Sequence, residues 1–277
     1  MELKKFRSQI RYDIQTGTFL AWNEFMFLII LIVLIIFTMY NHIFSNPALQ
    51  NKEITLLDYL CGFFKGMREF STLDRNQNIN IPTEWFFLQV WYYLIIVKYP
   101  RADFEERGYQ FLIRSGSKRN WWYSKCIWVC VNTLVYYGII YLTITVAAAF
   151  TGNLNLWNVK DIWGLQMNLL SPMQLIITLF VIPVLFAIAS GLLEMFLSFL
   201  WNPLVAVIIM LTVCVASAYW DNPLLPGNYT MLLRNSWLFP NCNISMEFGC
   251  IYAILIGFVS AVGGYHYFYR QDILKKE

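Results

Sequence analysis

The residue types able to do chemistry are few in this chain, and their spacing argues against most chemistries. His42 and His266 stand alone, and the cysteines at 61, 126, 130, 214, 242 and 250 make no zinc-like cluster, so no metal site is read. Cys126 and Cys130 lie one helical turn apart in an apolar stretch and read as packing residues. Cys61, Cys242 and Cys250 fall near the expected outer side; one disulfide among them is an open alternative, with no pair preferred. Ser115-Gly116-Ser117-Lys118 lacks the G-x-x-x-x-G-K-[ST] frame that cradles nucleotide phosphates, so the chain is not expected to hydrolyse ATP by that route. Glu24, Glu84, Glu194 and Asp221 fall at or near the ends of apolar segments, within reach of headgroups or water, where a proton relay would place them at mid-bilayer. No catalytic residue is assigned, and the chain is read as not an enzyme.

The elements around these residues are those of a membrane protein. Hydrophobic residues make up 58% and charged residues 13% of the 277, against about 25% charged in an ordinary soluble domain. A net charge of +3 gives no case for nucleic acid as a partner, and the placement of charge says more than its sum. Between Lys98 and Lys125 lies a charged island with Lys98, Arg101, Arg107, Arg114, Lys118, Arg119 and Lys125 against Asp103, Glu105 and Glu106. Such an island stays in the cytosol under the positive-inside rule. Pro100 is expected to break the preceding helix, and Asp103 to cap a new one with Glu106 three residues on. Phe104, Tyr109, Phe111 and Leu112 then recur at roughly helical spacing, as in a short amphipathic helix along the membrane face; an ordinary solvated loop is the alternative. Trp121, Trp122 and Tyr123 mark the return into lipid.

Taken in order, residues 1–24 read as an interfacial helix, with Leu3, Phe6, Ile10 and Ile14 facing lipid and Lys4, Lys5, Arg7 and Arg11 between them. Spans are expected at about 25–40, 81–97, 126–150, 173–197, 204–219 and 249–269, because the apolar run from Met173 to Trp220 is too long for one crossing. The segment 41–83 is expected outside, with a helix near 56–70 lying on the outer membrane face. Residues 220–248 form an outer loop before the last span, in which 231–238 could form a short helix. Fourteen of the twenty lysines and arginines then fall on inner segments, which favours both termini in the cytosol.

The pattern Glu105-Glu106, Gly108, Phe111-Leu112-Ile113-Arg114-Ser115-Gly116-Ser117-Lys118-Arg119, then Lys125 at the start of an apolar segment, resembles the loop between the second and third spans of permeases of ATP-binding-cassette exporters of the second type (ABC-2). Glu105-Glu106 also resembles the motif of paired-glutamate membrane proteases, but Gln110 stands where that pattern needs an arginine. The permease resemblance implies an all-α integral membrane protein: an N-terminal interfacial helix and six transmembrane helices in a single permease domain over 1–277, with a cytosolic coupling helix within 98–125. It implies docking on a separate cytosolic ATPase through Phe104, Arg107, Phe111, Leu112, Arg114, Lys118 and Arg119. It also implies a second permease copy, identical or related, with the cargo route between them lined by the second and fifth spans; Gln89, Trp91, Tyr92, Tyr93, Met210, Thr212 and Ser217 are the candidates there. For Gln89 a plain helix–helix hydrogen bond is the competing reading. No cofactor is expected in this chain, ATP and magnesium belonging to the ATPase; membrane lipid is the further partner and the plasma membrane the expected location. The expected function is export of an amphipathic or hydrophobic cargo such as a peptide, a drug or a lipid-linked molecule. The alternative is a non-transporting membrane interaction or immunity protein that uses the basic loop as a docking patch.

Overall fold

The computed structural model describes residues 2–47, 54–68, 82–108, 117–151, 153–156, 162–240, 242 and 244–270. These are almost wholly helical. The helices are α1 (Glu2–Leu20), α2 (Trp22–Ser45), α3 (Leu56–Phe64), α4 (Thr83–Asp103), α5 (Lys118–Thr151), α6 (Pro172–Leu200), α7 (Pro203–Tyr219) and α8 (Met246–Arg270). A single parallel bridge, Thr55 to Asn153, is the one β-type pairing among the described residues. Four helices, α2, α5, α6 and α8, are long and apolar enough to cross a membrane. α4 has 21 residues and α7 has 17, so each of the six apolar segments read from the sequence is helical.

Local chemistry explains the boundaries. Asn202 accepts from the Val205 amide at 2.8 Å and Pro203 opens the helix, which makes the turn between α6 and α7 as sharp as the sequence suggests. α6 carries a π turn over Ile177–Val181 just before Pro183. Proline has no amide proton to give the carbonyl four residues back, at Leu179, and the Tyr141 hydroxyl donates to that oxygen at 2.8 Å instead. Gly191 lets α4 and α6 touch: a Cβ there would lie 2.3 Å from the Tyr92 hydroxyl. That hydroxyl donates to the Ala187 carbonyl of α6 and bonds Thr133 of α5, both at 2.7 Å.

Two expectations change. Pro100 does not end its helix; α4 runs on to Asp103 and passes through a π turn over Phe104–Gly108, because the chain there packs inward instead of turning into solvent. The outer helix α3 does not lie on a surface, since all nine of its residues are buried against the bundle. In α1, where the apolar set was expected to face lipid, Phe6, Ile10 and Ile14 are half-buried beside exposed lysines and arginines, and the stripe buried against the bundle is Gln9, Asp13 and Gly17. Polar residues face inward because they meet polar partners on α5. None of the six cysteines is joined in a disulfide, so the one considered above is not formed.

Candidate functional site

The densest constellation of charge lies where α1, the end of α4 and the start of α5 converge. Lys125 is completely buried; its Nζ lies 2.8 Å from Asp13 Oδ1 and 2.6 Å from Asp103 Oδ2, and both carboxylates are themselves buried. Asp13 also accepts from the Tyr99 hydroxyl at 2.9 Å, from the Ser124 hydroxyl, and from the Gln9 amide at 3.4 Å. The ammonium sits over the Tyr99 ring at 4.1 Å and faces Trp121 at 5.2 Å. Burying charge is tolerable only when it is paired and hydrogen-bonded, and here one cation is shared by two anions with hydroxyl donors filling the remaining acceptor sites. The cluster ties three helices at one point. Among the described residues no group of side chains could hold a metal ion.

Gly17 is what lets α1 come this close. A Cβ at that position would lie 2.3 Å from the Trp128 indole nitrogen and 2.7 Å from the Tyr99 ring. Next to the ion pairs, Phe104 is buried edge-on to Trp121, Phe199 and Phe268 at centroid distances of 5.4 to 5.7 Å. Asp103, expected as a helix cap, thus serves the ion pair, and Phe104, expected as a docking contact, has its ring in the core. Of the other docking candidates, Phe111, Leu112 and Arg114 and the side chain of Arg107 lie outside the described residues. Lys118 donates to the Tyr269 carbonyl at 3.0 Å, and Arg119 is exposed on the first turn of α5.

The candidate path residues do not form one lining. Gln89, Tyr92, Tyr93, Met210 and Ser217 are buried inside the chain. Gln89 hydrogen-bonds with Tyr137 and Ser217 with the Val213 carbonyl, so their polar groups are met internally. Trp91 is half-buried and donates to the Glu24 carbonyl at 3.0 Å. Thr212 is exposed on this single chain; its hydroxyl donates to the Ile208 carbonyl at 2.8 Å, which satisfies it without a neighbouring helix. Glu194, expected to reach headgroups or water, is fully buried in α6, and among the described residues neither carboxylate oxygen has a hydrogen-bond partner.

Arg234 was read only as one of the outer charges. It is 1% exposed, and its guanidinium donates to the carbonyls of Ala218 at 2.6 Å, Trp220 at 3.0 Å and Met67 at 3.1 Å, and also to Ser217 and Asn228. The last carbonyls of α7 carry the negative end of the helix dipole, so the cation both caps α7 and pins the loop that follows it. The expected helix over 231–238 is replaced by two short 3₁₀ turns, Pro226–Thr230 and Leu232–Arg234, that curl around this side chain. A cation in a Pro/Gly/Asn-rich loop carries no sequence signal that its partners are backbone carbonyls.

No curated protein and no solved structure matches the chain significantly. A family described as "Protein of unknown function (DUF2705)" matches residues 66–274, which contain Asp103 and Lys125. With well over half of its length matched, the chain belongs to the DUF2705 family.

Proposed function

We propose that this chain is the membrane-spanning subunit of an ATP-driven exporter of the ABC-2 type. It works with a separate cytosolic ATPase that holds ATP and magnesium, and with a second permease copy, to move an amphipathic or hydrophobic cargo out across the plasma membrane. In this reading α1 is an interfacial helix, and α2, α4, α5, α6, α7 and α8 cross the membrane six times with both termini in the cytosol. The distribution of charge supports the orientation, with fourteen of twenty basic residues on the inner segments.

The observation that carries the reading is the clasp at the base of the basic loop. Asp103 and Lys125 stand on either side of residues 109–116 and are joined at 2.6 Å, and Lys125 is joined in turn to Asp13 of α1. Removing one partner of a buried ion pair costs about 3–5 kcal/mol, so a push on the loop moves α1, α4 and α5 together before the clasp yields. That is what a coupling element needs.

The test is to express the chain with a candidate ATP-binding-cassette ATPase and to compare Phe111→Asp with Phe104→Asp. Phe111→Asp should release the ATPase from a folded permease, and Phe104→Asp should unfold the permease itself. Should co-purification and cargo-stimulated hydrolysis both survive Phe111→Asp, the docking assignment fails.

The burial of Gln89, Tyr92, Tyr93, Met210 and Ser217 within one chain favours a second reading, a membrane interaction or immunity protein that docks through the same loop without transporting. Vesicles containing the chain and its ATPase separate the two, since only the exporter moves cargo when ATP is added.

A further inference from the structure

A cavity of about 330 Å³ opens in the crease where α1 runs into α2 beside the end of α4. Its size is at the lower end of the range for small-ligand sites. Gly17, Leu20 and Ala21 form one wall, and Ile95 and Tyr99 face them from α4. The charged groups on this lining are three carboxylates, Glu24, Asp103 and Glu106, and one ammonium, Lys98; Thr16 and Tyr99 add hydroxyls. Lys98 is paired with Glu24 through Oε1, while Glu24 Oε2 is buried without a hydrogen-bond partner among the described residues. Asp103 is held through Oδ2 by Lys125, whose second partner Asp13 cancels that charge, so among the described residues the lining stays at a formal charge of −2. Phe19 and Trp22, 79% and 59% exposed, stand on the same stretch of chain as the wall and give the outside an apolar rim.

An apolar slot with excess carboxylate and an unsatisfied buried acceptor repels phosphate and carboxylate ligands and leaves a neutral alkyl ligand with nothing to offer Glu24. We infer that this cavity is a binding site for an organic ammonium, whose charged head hydrogen-bonds Glu24 Oε2 and faces Asp103 and Glu106 while its alkyl part lies along Leu20, Ala21 and Ile95. A primary ammonium reaches such a place either as the headgroup of an ethanolamine lipid or as a free cationic amphiphile. The site does not rest on the exporter reading and is tested without an ATPase.

Full-length protein in nanodiscs of phosphatidylglycerol is titrated with hexylammonium, hexanol and hexanoate, and binding is read by saturation-transfer NMR. Hexylammonium should bind at least 10-fold more tightly than either analogue. The Glu24→Gln/Glu106→Gln double variant should lose about 10-fold, and Leu20→Trp, which fills the mouth from an exposed position, should abolish binding with the fold intact by circular dichroism. Adding phosphatidylethanolamine to the discs separates the sources: it suppresses hexylammonium binding if the lipid headgroup is the occupant and leaves it unchanged if a free amine is, the ammonium site standing either way. Equal binding of hexanol or hexanoate overturns the assignment, as does a folded Leu20→Trp variant that still binds hexylammonium like the unsubstituted protein.

Discussion

Asp13 and Lys125, 112 positions apart in the chain, meet at 2.8 Å with neither side chain exposed. The contact fixes the N-terminal helix to the foot of α5. Because Asp103 shares the same ammonium, the cluster carries one carboxylate more than it has cations. Lys125→Ala therefore leaves two anions in a buried site, and a loss of about 3–5 kcal/mol is expected. The triple variant Asp13→Asn/Asp103→Asn/Lys125→Met removes all three charges and should recover most of that loss. Unfolding midpoints in mixed detergent and sodium dodecyl sulfate measure both. Equal midpoints for the single and triple variants would place the cost in packing and not in unpaired charge.

Gly17 should be as sensitive as the ion pair although it carries no chemistry. With the Trp128 nitrogen at 2.3 Å and the Tyr99 ring at 2.7 Å from a Cβ, Gly17→Val forces α1 off both aromatic side chains and off the Asp13–Lys125 contact. Gly138 of α5 meets nothing within 4 Å, so Gly138→Ala should be neutral or stabilising by up to about 1 kcal/mol. The same midpoint assay compares them. A Gly17→Val variant as stable as Gly138→Ala would mean that α1 is free to shift.

Arg234→Lys keeps the charge but not the planar fork, which reaches several carbonyls at once. Substitution should open the outer loop and make residues 220–245 sensitive to protease added from outside, with little change in the rest of the bundle. Arg234→Leu should be worse, leaving the carbonyl ends of α7 unsatisfied in a buried place. Cleavage no faster than in the unsubstituted chain would reduce Arg234 to a spectator.

The long apolar runs made the helices legible, because 20 or so apolar residues announce a span whatever they pack against. The break between α6 and α7 was legible from length, the run from Met173 to Trp220 being too long for one crossing; its local cause, a cap at Asn202 followed by Pro203, is seen in the fold. What could not be read was pairing at long range. Lys125 reads as one more cation of the charged island and nothing in the sequence singles out Asp13; only the fold makes each the other's partner. In α1 the apolar periodicity marks the face read toward lipid, and nothing in it announces the opposite, inward stripe of Gln9, Asp13 and Gly17. Thr212 shows the converse, a polar residue whose own helix satisfies it.

The six-span topology is open to a labelling test, and burial decides where the labels go. Asn228 lies in the outer loop but is fully buried, with its amide donating to the carbonyls of Trp220 and Asn222 at 2.9 Å, so a cysteine there would report the fold and not the membrane side. Leu224, 64% exposed in the same loop, and Leu154, 52% exposed between α5 and α6, are the better outer positions. Gln110 lies in the basic loop that the charge bias assigns to the inside. In a cysteine-free background, an impermeant maleimide added to intact cells should label Leu224→Cys and Leu154→Cys and should reach Gln110→Cys only after the membrane is opened. Labelling of Gln110→Cys in intact cells would reverse the orientation of α4 and α5 and remove the loop from any cytosolic ATPase. Failure at Leu154 with success at Leu224 would instead show that α5 and α6 do not each cross the membrane, and the span count would fall from six to four.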